Sequence, residues 1–536
     1  MHAHGSESYW ILGEGLVSVS GDGRPAVTGD LSDRRASGGA APAADETPAF
    51  RFSRMGPRGV GLSLRNIGKI AAAMTASGGG AGAGIPAGYT YLGQFIDHDL
   101  TFDKTTVTLG EAISPAMLEQ GRSPTLDLDS LYGNGPLDPE SRRFYAADRQ
   151  HLRMGSTARI FNDAARDGFD LPRGAGRSAA KKRQAIIPDA RNDENLAVAQ
   201  THLAMIRFHN RALDRLPASV PDDERFGTAR SRVVKHYQWL IRHDYLPRIC
   251  RKRIVDDVFT HGRKVFEVGA PGTEMPTMPV EFSVAAFRFG HSMIRAAYDW
   301  NRRFPDDFGE LFFLFDFSAT GGQLGGGLKL PSNWICDFRR LYPFAEADRP
   351  DLDPPAGVNR AMRIDTRIVN PLEFLPEGTF GGFQEGVPLE QFNLAFRNLV
   401  RAKMLKLATG PQMVDLLQSR GVDVTPLTPA QILQGSRGAE LDELTTQERD
   451  ALVERTPLWF YVLREAERNR GKLDGVGARV VAETMHRAME GSAISILRDP
   501  GFSPTLGKVD GRFTMMDLLL FAFAGKKSLL NPLGGP

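Results

Sequence analysis

Residues 91–103, YLGQFIDHDLTFD, set Gln94 and His98 four positions apart. On an α-helix those two side chains share one face, while Asp97 and Asp99 flank the histidine on neighbouring faces. Amide, imidazole and carboxylate thus meet within two turns of an otherwise apolar segment. A lone helical histidine is most often a satisfied structural residue, so the weight of this stretch depends on what surrounds it.

Helical periodicity dominates from residue 50 onwards, in LRNIGKIAAAM, NLAVAQTHLAMIRFHNRALDRL, RSRVVKHYQWLIRHDYLPRIC, AAFRFGHSMIRAAY and NLVRAKMLKLATG. Strand signals are few and short, KVFEV being the best, and the connections are long and rich in Gly and Pro. The pattern predicts a mostly α fold, one large helical domain over 50–536 with long irregular loops. Residues 1–49 read as a flexible N-terminal arm, because stretches such as SGGAAPAADETPA bury too little apolar surface to offset ordering. The glycines at 78–80 and 82–88 lack a following Lys-Ser/Thr and a preceding strand. They therefore fail as a phosphate loop and read as a plain loop leading into a helix near Pro86.

With 536 residues, 41% hydrophobic and 24% charged, the composition is that of a globular chain with ample core. A net charge of +2 provides no global field for nucleic acid or an acidic membrane. Two cysteines, Cys250 and Cys336, cannot build a disulfide framework. The N-terminus shows no basic then apolar leader, and the longest apolar run, 518–524, is far short of the 18 or so residues of a membrane span. No Sec signal and no transmembrane segment are expected.

Further polar constellations punctuate the helices. PDARNDENL places Arg191 and Glu194 three apart at a helix start, where a capped, solvated turn is the plain alternative. FRFGHSMIR puts Arg288, His291 and Arg295 on one side of an apolar helix, beside a glycine that permits close approach of something large and flat. RNLVR places Asn398 and Arg401 three apart. SPTLDLDSLYG offers Ser123, Asp127 and Asp129 with the Thr125 carbonyl between them, hard oxygen donors of the kind Ca²⁺ prefers, although an acidic turn reads equally well.

Taken in order, these pieces resemble the animal-type haem peroxidases of the peroxidase–cyclooxygenase superfamily, including bacterial members. GQFIDHDLTFD is similar to their distal-histidine motif, LDLDSLYG to their calcium loop and DARNDENLAVAQTHLAMIRFHNR to their distal-arginine segment. HDYLPRI, FRFGHSMIR and RNLVRAKMLKLATG continue the likeness through the proximal side, and TPLWFYVLREAERN through the region after the haem pocket.

The resemblance implies haem b with His291 as the proximal iron ligand, Asn398 as the partner of its other ring nitrogen, and Arg288 and Arg401 near the propionates. It implies His98 as the distal acid–base, Arg191 as its cationic neighbour and Gln94 near the small-anion and water site. Asp97 and Glu194 match carboxylates that form haem esters in many relatives. Asn195 stands where one branch has a sulfonium-forming Met, which disfavours chloride oxidation. Asp99, Ser123, Thr125, Asp127 and Asp129 would hold Ca²⁺. The implied activity is hydrogen peroxide reduction through a ferryl haem, with bromide, iodide, thiocyanate or phenols as small-molecule electron donors.

Two alternatives stand beside it. In a fatty-acid dioxygenase of the same superfamily a radical tyrosine lies three residues before the proximal histidine, where this chain has Arg288. A non-catalytic haem- and calcium-holding module would have no physical need to retain both His98 and Arg191. A calcium loop favours an extracytoplasmic setting, whereas the missing leader favours the cytoplasm or export without a cleaved signal. Neither oligomeric state nor the physiological donor is legible.

Overall fold

A computed structural model describes residues 8–11, 15–19, 25–29, 50–76, 82–103, 113, 118, 120–375, 386–435, 437–507 and 511–535. Helix α1 (Leu64–Thr75) starts where the Ser63 hydroxyl accepts from the Asn66 amide, and buries Ile67, Ile70, Ala71 and Met74 at helical spacing. Helix α2 (Gly88–Leu100) carries the 91–103 motif and is buried on almost every face. Two glycines permit that burial. A Cβ at Gly88 would lie 2.2 Å from the Tyr342 ring, and one at Gly93 would lie 2.2 Å from the Tyr245 hydroxyl.

Helix α3 (Leu196–Asp214) is capped by the Asn195 side chain, which accepts from the Val198 amide, and it packs along α2. Helix α4 (Asp222–Leu240) runs through a π-turn, Ile241–Tyr245, into the short helix Leu246–Ile249. A second π-turn, Glu281–Ala285, feeds the 3₁₀ segment Ala286–Met293. Helices α5 (Leu394–Met404), α6 (Leu458–Arg468) and α7 (Gly475–Gly491) close around that segment, and α5 also packs on α1. One hydrophobic core links these elements, with Leu92, Phe95, Ile96 and Leu100 of α2 fully buried within it. Each such side chain contributes about 1.5–3 kcal/mol by leaving water. The architecture is the mostly helical one expected. Among the described residues no helix is long and apolar enough to cross a membrane.

Three local expectations change. KVFEV forms no strand; the Glu483 carboxylate accepts from the amides of Lys264, Val265 and Phe266 and takes the place of a pairing partner. Gly82–Pro86 is a strand, antiparallel to Arg360–Met362, and only then does the chain enter α2; Gly78, Gly79 and Gly80 lie outside the described residues. Within the segment read as an arm, Ser8–Ile11, Gly15–Val19 and Pro25–Gly29 pair as an antiparallel meander, the remainder of 1–49 lying outside the described residues.

Two buried histidines tie the helices together in their neutral form. His209 accepts from the Tyr132 hydroxyl at 2.9 Å and donates to the Gln150 carbonyl at 2.9 Å. His236 donates to the Arg232 carbonyl at 2.6 Å and accepts from the amides of Thr505 and Leu506. Burial lowers both to about 4. Below the ordinary histidine value the unfolded chain gains protons that the fold refuses, so stability falls as pH drops toward 4. Urea midpoints should decline from about pH 7 to about pH 4.5, and less steeply in His236→Gln. A pH-independent midpoint would contradict this.

Candidate active site

One cavity, enclosing about 1720 Å³ between atoms with its open mouth included, is bordered by α2, the 190–195 turn, the 3₁₀ segment and α5. His98 lines one part of its wall and His291 another.

His98 is 5% exposed. Its Nδ1 lies 2.9 Å from Asn192 Oδ1, and because an amide oxygen only accepts, the ring proton sits on Nδ1. Nε2 is then the bare nitrogen, 3.7 Å from Glu194 Oε1. Burial and, next, the Arg191 charge hold the imidazole down to about 3, so it is neutral at ordinary pH. Gln94 shares that side of the site: its amide donates to Glu194 and accepts from Asn195 Nδ2 at 3.0 Å. Asp97 lines the cavity as well, its Oδ1 buried without a hydrogen-bond partner.

Arg191 is not a solitary charge. Its Nε and Nη2 donate to Asp189 at 3.0 and 2.8 Å, and Nη2 also reaches the carbonyls of His98 and Thr101. Asp189 is gripped from the other side by Arg122, through Nε at 3.1 Å and Nη2 at 2.8 Å. The two guanidinium groups hold the Asp189 carboxyl well below the usual carboxylate range against its own burial.

Across the cavity, His291 lies on the 3₁₀ segment, where residues three apart eclipse. That geometry, rather than an α-helical face, brings Arg288 and His291 together, and the Arg288 Nε donates to the Ser283 carbonyl at 2.8 Å. Arg295 departs from the expected face because the segment ends at Met293; it pairs instead with Asp307 at 3.0 Å. Asn398 of α5 places its side-chain Nδ2 2.8 Å from His291 Nδ1, so that the amide donates to that ring nitrogen. A half-turn of the amide, which exchanges its oxygen and nitrogen, would let Nδ1–H donate and leave Nε2 as a ligand. Burial lowers His291 to about 3, with a further push from Arg288. Arg401, one turn on from Asn398, lies 3.5 Å from Asp103 and lines the cavity with Arg288 and Arg397.

Residues 103–310 match the animal haem peroxidase family. Human thyroid peroxidase is 30% identical over 199 residues, 34% of this chain and 20% of that protein. Heme peroxidase 2 of Caenorhabditis elegans is 26% identical over 179 residues, 32% of this chain and 23% of that protein. The matched region spans only about a fifth of these relatives. Among solved structures, peroxidase A from Dictyostelium discoideum aligns with a TM-score of 0.55 at 15% identity, covering 84% of this chain and 90% of that one. The fatty acid alpha-dioxygenase of Arabidopsis thaliana aligns with a TM-score of 0.54 at 12% identity, covering 90% and 76%. At such identities these two show the shared fold. Residues 103–310 are thus similar to an animal haem peroxidase domain.

The cavity suits a flat, dianionic, iron-holding group. Two buried neutral histidines supply nitrogen donors. A Cβ at Gly290 would meet nothing within 4 Å, leaving space beside His291, and Arg288, Arg397 and Arg401 line the cavity where they could meet carboxylates.

Among the expected calcium ligands, the Asp129 charge acts on both Asp99 and Asp127. Ser123 donates to Asp129 and lies 2.9 Å from the Thr125 hydroxyl, while Asp99 accepts from Ser130 N at 3.2 Å and from Leu128 N at 3.3 Å. Asp127 accepts from the amides of Ala493 and Ile494. With those lone pairs turned to amides, no three His, Cys, Asp or Glu side chains among the described residues converge as metal ligands. Burial and the neighbouring Asp129 charge raise Asp99 to about 7.

The sequence reading missed Asn192, Asp189 and Arg122. Asn192 was legible as a polar residue beside Arg191, and Asp189 as a helix-start cap. Arg122 carried no signal, because its role depends on a contact 67 residues away.

Proposed function

We propose that this chain is a haem-dependent peroxidase that reduces hydrogen peroxide and draws electrons from a small donor such as bromide, iodide, thiocyanate or a phenol. One observation carries the reading: His98 presents a bare Nε2 to the cavity, its tautomer set by Asn192 and its neutrality by burial and Arg191. Haem held by His291 would supply the iron at which peroxide is reduced and through which electrons pass from the donor. His98 Nε2 takes a proton from the proximal oxygen of hydrogen peroxide and returns it to the departing one. Arg191, fixed by Asp189, offers directed N–H groups where negative charge gathers on that oxygen. Asn398, with its amide oxygen turned to Nδ1, would hold His291 in the tautomer that leaves Nε2 for iron, and Arg288 and Arg401 would pair with the propionates. Asp97 and Glu194, both on the cavity wall, are the carboxylates for ester links to haem. Arg288 occupies the position of a dioxygenase's radical tyrosine, which favours peroxidase over dioxygenase chemistry.

The test is the visible spectrum of the haem-loaded protein mixed with one equivalent of hydrogen peroxide. The Soret band should shift and return on addition of bromide or a phenol. A spectrum indifferent to peroxide would leave a binding module, and oxygen uptake with an unsaturated fatty acid would leave a dioxygenase.

The hard oxygens of Asp99, Ser123, Thr125, Asp127 and Asp129 are assigned to Ca²⁺, which would relieve the carboxylate repulsion and brace α2. At calcium about 100-fold above its dissociation constant the ion should contribute about 2.7 kcal/mol. Chelation should therefore lower the thermal midpoint of the wild-type protein and leave Asp129→Asn unmoved. An unchanged midpoint after elemental analysis shows the calcium gone would refute the site.

A further inference from the structure

His202, on α3, sits edge to face against Phe95 of α2, ring centroids 5.7 Å apart, and is fully buried. Neither of its ring nitrogens has a hydrogen-bond partner among the described residues, whereas His209 and His236 fill both of theirs. A neutral imidazole is one donor and one acceptor, and buried polar groups that satisfy neither are rare.

Two more buried nitrogens without partners belong to the same neighbourhood, Arg122 Nη1 and Asn192 Nδ2. Both side chains are otherwise committed, Arg122 to Asp189 and the Pro188 carbonyl, Asn192 to Nδ1 of His98. The Asn192 backbone N–H donates to the Asp189 carbonyl, and the charges of Asp189 and Arg122 both act on His202. The three groups therefore surround the turn that starts at Asp189. Their chemistry is complementary: two N–H donors and one imidazole that can accept. A water molecule accepts two hydrogen bonds and donates a third, the usual number for a buried water.

We infer that an internal water is held between Arg122 Nη1, Asn192 Nδ2 and His202, and that His202 is a positioning residue acting through it on Asn192. The consequence follows from amide symmetry. A half-turn of the Asn192 side chain would present NH₂ to His98 Nδ1 and drive the ring proton to Nε2, abolishing the base at the cavity face. Water pinned on Nδ2 by His202 opposes that half-turn. The kinetic part of this inference rests on His98 being the peroxide base; the water site does not.

A crystal structure of the haem-loaded full chain at atomic resolution should show a water within hydrogen-bonding distance of all three groups. A dry site, or His202 bonded directly to Asn192, would overturn the assignment. His202→Leu should slow the peroxide step roughly five- to tenfold, the value of one lost hydrogen bond, with haem affinity unchanged. His202→Asn, which keeps a side-chain acceptor, should recover most of the rate. Equal loss in both variants, or none in either, would remove the positioning role. If the leucine variant does not fold, the wild-type electron density and the asparagine variant decide. If the wild-type protein is inert to peroxide, the peroxidase reading fails and the density alone decides the water.

Discussion

His98→Ala should slow the reaction of the haem-loaded protein with hydrogen peroxide by about 10²–10⁴-fold, the usual contribution of a positioned acid–base group. Haem uptake should survive, because His291, Asn398, Arg288 and Arg401 lie on other elements of the cavity wall. The loss should appear in the peroxide step rather than in donor oxidation, since only the former needs a proton moved between adjacent oxygens. Stopped-flow mixing at several peroxide concentrations measures the step directly, and a haem titration supplies the control. Asn192→Ala should fall between wild type and His98→Ala, because the imidazole remains but its tautomer is no longer fixed. The pH profile gives an independent check. His98 is held down to about 3, so its protonation should leave the rate level from neutral pH well below the ordinary histidine value. A His98→Ala rate within about twofold of wild type would dismiss the assigned role.

The helical class was legible because amphipathic periodicity is local: α1, α3 and α5 bury the apolar positions that their spacing marks. So were the residues that face the cavity, since His98, Arg191, Glu194, His291, Asn398 and Arg401 stand in ordered motifs and all line it. What escaped depends on distant partners or on backbone geometry that spacing does not resolve. An i, i+3 pair such as Arg288 and His291 is compatible with an α-helix and with a 3₁₀ turn, and only the latter explains why Arg295 leaves the face. Gly82–Pro86 has weak strand propensity and becomes a strand because Arg360–Met362 lies beside it. KVFEV has strong propensity and loses its strand to a buried carboxylate from α7. The Arg122–Asp189–Arg191 arrangement is the same lesson in charge. Sequence showed Arg191 and concealed the carboxylate and second arginine that determine where it points.

That arrangement yields the largest expected stability effect. Asp189 is 1% exposed in its side chain and Arg122 is 0%, so both charges have left water entirely and are offset by one another and by Arg191. Asp189→Asn keeps an oxygen that can accept from the Arg191 amide, but it removes the negative charge and sets an NH₂ group against two guanidinium groups. Removing one partner of a buried pair typically costs about 3–5 kcal/mol, because the remaining charge is stranded. Urea unfolding at neutral pH should show a loss of that order. Asp189 lies below the usual carboxylate range in the fold, so its contribution is complete above about pH 4 and disappears only as acid protonates the folded carboxylate. The difference between wild type and variant should therefore be constant from neutral pH to about pH 5 and shrink in stronger acid. Adding Arg122→Met to Asp189→Asn should restore part of the lost stability, since it removes a stranded cation and leaves apolar volume in its place. A loss below about 1 kcal/mol in the single variant would show that water reaches this pair and that Arg191 owes its direction to the carbonyls of His98 and Thr101 instead.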